Sequence, residues 1–150
     1  MRHLLAFVFL LAMGGCHMWS EEEPVIAEAI ADLDAALTRT VQAAGLPVDV
    51  ARKPRPHPCH SETRHGASVD IDGASEEPAK TVAEVLASWR REGLTVVSDR
   101  TRDQKWPQAT VRGRLVEMTI TGFPDRKAVW IWGSTACLEG EVPETWRDVL

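Results

Sequence analysis

Midway along this chain the spacing of apolar residues changes from helical to alternating, and that change constrains the fold more than any other feature. Ile26, Ile30, Leu33, Leu37 and Val41 recur three or four residues apart, which lines one face of a helix. Val82, Val85, Leu86 and Trp89 repeat the pattern. Beyond Leu94 the period becomes two: Val116, Met118 and Ile120 alternate with Glu117, Thr119 and Thr121, so one strand face is buried and the other wet. Helices, a short strand and then consecutive strands indicate an α+β fold. The expectation is two helices packed on an antiparallel β meander of about four to five strands.

Local stop signals bound these elements. The first helix opens after Ser20-Glu21-Glu22-Glu23-Pro24 and ends at Gly45, with Pro47 preventing continuation. The second opens at Ser75-Glu76-Glu77-Pro78 and closes through Arg90, Arg91 and Gly93. Between them residues 51–65 read as an irregular loop, because Pro54, Pro56 and Pro58 exclude helix, and residues 69–72 read as a short strand ended by Gly73. Strands follow at 94–97, 109–111, 114–121 and 128–133, with Arg112-Gly113 as a two-residue hairpin turn.

Ahead of the first helix, Arg2 and His3 precede an unbroken apolar run from Leu4 to Met13. Such a run is an export signal and is short for a membrane span. Met13-Gly14-Gly15-Cys16 resembles the bacterial lipobox, in which two small residues precede a Cys. The resemblance implies that the Cys16 thiol is diacylated and the chain cut just before it. Residues 1–15 are then a lipoprotein signal peptide, residues 16–23 the lipidated Cys and a short tether, and residues 24–150 a single domain. Two acyl chains suffice for stable attachment to membrane lipid. The implied location is extracytoplasmic, anchored to the cell membrane.

With Cys16 acylated, Cys59 and Cys137 remain. In an oxidising compartment they are a natural disulfide pair. The bridge would staple the Pro-rich loop to the edge of the sheet. Metal ligation or a free buried thiol are the other uses open to these cysteines. The order of parts also resembles small actinobacterial lipoproteins of unknown function, through Cys59, Trp89 to Leu94, Arg112-Gly113 and Ser134-Thr135-Ala136-Cys137. That resemblance implies no activity.

The net charge of −5 argues against nucleic acid as a partner, since such binding rests on clustered Lys and Arg neutralising phosphates. Catalysis has little to recommend it: no nucleophile elbow, zinc-protease helix or phosphate-cradling Gly loop is present. An envelope hydrolase is the residual enzymatic alternative. Asp70-Ile71-Asp72-Gly73 has the opening of a calcium loop but lacks its third acid and closing Glu, so strand plus turn is the stronger reading. No motif calls for a cofactor.

Two clusters are candidate contact sites. His57, His60 and His65 surround Cys59 and could serve as ligands for zinc, copper or a small molecule, although their spacing fits no zinc pattern. Trp130 and Trp132 alternate with Val129 and Ile131, so both rings leave one face of the last strand. Either the helices cover them, with Trp89 joining the core, or they form an exposed contact surface. Trp is usually well buried, which favours the core. The function expected is non-enzymatic: a membrane-anchored extracytoplasmic domain that binds a protein or cell-envelope partner. The alternative is a lipoprotein that captures metal or a small ligand through the histidine loop.

Overall fold

Both helical stripes form helices. Helix α1 (Ile26–Ala43) buries all five residues of its stripe, and α2 (Pro78–Arg91) buries all four of its own. Each ends in the same cap. The N–H of Leu46 donates to Val41 O and that of Gly45 to Gln42 O, while Leu94 and Gly93 do the same to Trp89 O and Arg90 O. Gly45 and Gly93 supply the positive φ this closure requires, 67° and 79°. The computed structural model describes residues 24–150, so the leader, Cys16 and the tether lie outside the described residues.

The strands are β1 (Arg52–Pro56), β2 (Arg64–His65), β3 (Ala67–Ala74), β4 (Thr95–Arg100), β5 (Gln108–Arg112), β6 (Val116–Phe123), β7 (Ala128–Thr135) and β8 (Leu138–Glu139). Six form one antiparallel sheet in the order β1-β3-β7-β6-β5-β4, and β2 pairs with β8 separately. The fold is therefore α+β as expected, with more strands than the four or five expected. Strands β4 to β7 are the meander. Strand β3 pairs with β7, and α2 carries the chain from β3 across one face to the far edge at β4. A one-turn helix α3 (Trp146–Val149) also packs against α1.

The largest correction is β1, which occupies the stretch expected to be an irregular loop. Its prolines are compatible with a strand because they recur every second residue. The N–H of His57 donates to Gly66 O at 2.8 Å, so odd positions turn their backbone groups toward β3. Pro54 and Pro56, at even positions, turn their missing donors to the free edge, the place in a sheet where proline costs no ladder bond. Arg52 ties this edge to α1 by donating to Asp34 Oδ1 (2.7 Å) and Thr38 Oγ1 (3.0 Å).

A second correction is the β5–β6 turn. Arg112 faces Glu117, and Gly113 N–H donates to Val116 O at 2.8 Å, so Arg114-Leu115 make the turn and Arg112-Gly113 do not. Leu115 is buried there and Arg114 pairs with Glu28 on α1. An apolar side chain that can reach the core outweighs local turn preference.

The core lies between the two helices and one sheet face. Helix α1 covers β7 and α2 covers β6 and β5. Val85, Trp89, Met118 and Ile120 are all buried in this one cluster. Trp89 has no exposed surface. Its indole Nε1 donates to Thr40 Oγ1 at 2.9 Å, and that hydroxyl donates to Ala36 O at 2.8 Å. Among the described residues no buried side-chain polar atom lacks a partner, the condition for polar groups to be tolerated in a core.

Candidate functional site

Sheet register decides which residues face solvent. Trp132 sits opposite Thr119 on β6 and Asp70 on β3; Trp130 sits opposite Thr121 and Asp72. Ile131 sits opposite Ile120 and Ile71, both fully buried beneath the helices. The helices therefore cover the Val129/Ile131 side. Trp130 and Trp132 are half-buried on the uncovered face, which corrects the expectation that they join Trp89 in the core.

Around the two rings the uncovered face is polar and cross-bonded. On the β3 side Asp70 is 6% exposed; it pairs with Arg55 and accepts a hydrogen bond from Trp130 Nε1 at 3.0 Å. Lys53 Nζ lies 2.6 Å from Asp72. The calcium-loop reading is thus set aside, since both acids are strand residues held by cations. Toward β5, the hydroxyls of Thr110 and Thr119 are 2.9 Å apart, Gln108 Nε2 donates to Thr121 Oγ1 at 2.9 Å, and Arg112 pairs with Glu117 at 2.6 Å. Two aromatic rings thus sit mid-sheet between an ionic ladder and a hydroxyl ladder. Diagonal and direct cross-strand pairs of this kind hold side chains in place. The face offers ring surface for contact and fixed polar groups for orientation.

One signal in the sequence could have located this face. Thr119 and Thr121 alternate with Met118 and Ile120, and residues 124–127 turn the chain. Closing that hairpin places Phe123 opposite Ala128 and so Thr121 opposite Trp130. The Trp face had to be the Thr face, and therefore the wet one. The Arg55 partner of Asp70 cannot be found this way, because the prolines of β1 mask it as a strand.

A further aromatic is exposed, with no periodic signal in the sequence to mark it. Trp106, 51% exposed, is presented by the loop between β4 and β5. Asp103 Oδ1 accepts the backbone N–H groups of Lys105 and Trp106, both at 2.9 Å, and Arg100 pairs with its other oxygen at 2.8 Å. The Trp106 N–H, the Arg100 guanidinium and the Lys105 N–H hold this carboxyl below its ordinary value. Next to it, the Thr101 hydroxyl and N–H lower Asp99, with Arg90 assisting.

The histidine loop lies at the other end of the sheet. Cys59 and Cys137 form the expected disulfide, with Cα atoms 5.9 Å apart. His57 is half-buried, its ring 6.1 Å from that of Trp132. His60 and His65 are exposed. Among the described residues no three His, Cys, Asp or Glu side chains are grouped to hold a metal ion. Beneath the loop is a cleft of about 390 Å³ that reaches the C-terminal segment through Val142, Trp146 and Arg147. No helix among the described residues is long and apolar enough to cross a membrane. No protein-family model, curated protein or solved structure matches this chain.

Proposed function

We propose that this chain is an exported domain, held to the membrane by lipid on Cys16, that binds a protein or cell-envelope partner without catalysing a reaction. The observation that carries the binding role is the uncovered sheet face. Trp130 and Trp132 stand on the same face of β7 in mid-sheet, half-buried, although the helices could have been spent on covering them. A pair of rings framed by ordered polar groups has the make-up of an interface centre, where a few aromatic residues carry most of the binding energy. Export is supported by the Cys59–Cys137 disulfide, which persists in oxidising compartments.

The test is crosslinking capture from intact envelopes, comparing wild type with the Trp130→Ala/Trp132→Ala variant. Truncating two interface aromatics costs at least about 2 kcal/mol where they are hot spots, or roughly 30-fold in affinity. The variant should keep its fold, because neither ring is in the main core, and should lose its partner. Equal capture by both proteins would reject the face as the binding site.

A further inference from the structure

The cleft beneath the histidine loop carries cations and no acid. Its lining includes Arg64, Arg147, His57, His65, Ser61 and Trp146. No Asp or Glu lines it, although Glu62, Glu141, Glu144 and Asp148 occur on the same two segments and the chain is acidic overall. Among the described residues neither Arg64 nor Arg147 has a carboxylate partner within ion-pair distance, in a structure where ten other pairs are made. Arg147 lies over the Trp146 ring, 5.2 Å from its centroid. Free cations collected around a concavity are complementary to an anion.

We propose that this cleft binds a phosphate ester. Two guanidinium forks, two imidazoles and a hydroxyl provide more donors than the two oxygens of a carboxylate can accept. A phosphoryl group offers three or more oxygens and the tetrahedral spread to meet donors from several sides. At about 390 Å³ the cleft exceeds a bare ion and suits a small esterified group. Its floor is held in place by the disulfide and by the His57–Gly66 backbone bond.

Position indicates where such a phosphate could come from. An adjoining cleft, also lined by Arg64 and by Glu139, reaches Pro24 and Val25 at the start of the described chain. Pro24 follows Cys16 by only eight positions, a reach of at most about 28 Å. A phospholipid headgroup and a free phosphate ester share the chemistry. The lipid source rests on the Cys16 anchor proposed above; the cleft itself does not, nor does it depend on what the sheet face binds.

The test is calorimetry on the full lipidated protein in neutral detergent at constant ionic strength. The probes are inorganic phosphate, glycerol 3-phosphate, acetate, and micelles doped with phosphatidylglycerol. Saturable binding of the soluble phosphates supports the site with a free ester as ligand; binding of doped micelles alone supports it with lipid as ligand. In either case Arg64→Gln and Arg147→Gln should each weaken binding about tenfold or more, while Arg102→Gln, on the β4–β5 loop, should not. Acetate binding as tight as phosphate, an equal loss in Arg102→Gln, or no saturable binding of any probe would overturn the proposal.

Discussion

Trp89 and Thr40 form a polar contact inside the core, and its worth can be separated from that of the packing around it. Trp89 has no exposed surface and Thr40 is 1% exposed, so neither can turn to water for a replacement partner. Trp89→Ala would remove a large buried ring at about 3–5 kcal/mol, from a domain whose total stability is of order 5–15 kcal/mol. Thr40→Val is more diagnostic. It keeps the volume but strands the indole N–H, which costs about 1–3 kcal/mol when no water can reach it. Trp89→Phe removes that N–H along with part of the ring. In the Phe background Thr40→Val should therefore cost less than about 0.5 kcal/mol, leaving a coupling of roughly 1–2 kcal/mol between the sites. The assay is urea unfolding with the disulfide intact, followed by far-UV circular dichroism because the variants alter tryptophan emission. His60→Ala, an exposed loop position, is the control and should melt with the parent. If Thr40→Val costs the same in both backgrounds, the hydrogen bond does not contribute as argued. If Trp89→Ala melts with the parent while His60→Ala collapses, the core itself is misplaced.

Three further outcomes are expected. Cys16→Ser should release the protein from membrane fractions or leave it uncleaved; wild-type protein that proves soluble and begins downstream of Cys16 would refute the anchor. Replacing Cys59 and Cys137 by Ser opens a loop closed over 78 residues and should cost about 4 kcal/mol. Hydrogen exchange should then rise more in residues 57–65 than in β6 and β7, and an equal rise in both would contradict the bridge's local role. Asp103 is held below its ordinary value of 3.8, so its contribution is present above the unfolded value and lost as pH falls through the lower folded one. By NMR the Trp106 loop should stay ordered from pH 7 to about 4 and loosen only in stronger acid. Loosening above pH 4 would show that other groups control it.

What the chain determined locally was readable from the sequence alone. Both helices, their glycine caps and the burial of Trp89 follow from residues within a turn or two of one another, and a helix satisfies its own backbone within that range. The cysteine pair was readable for a different reason: few partners were available. Within β7 itself nothing decides which side the helices cover, because Val129/Ile131 and Trp130/Trp132 are both apolar sets and alternation along that strand cannot rank them. Their rank came from neighbours on other strands, Ile120 and Ile71 on one side, Thr119 and Asp70 on the other. Strand β1 was hidden likewise, since prolines at alternate positions form a legal edge only when a partner lies on the side they leave free. Arg64 and Arg147 are 83 positions apart in the chain and share a cleft only because β2 pairs with β8 and the C-terminal segment folds back beside them. Local periodicity records which face of an element is apolar; only the packed fold assigns that face a neighbour.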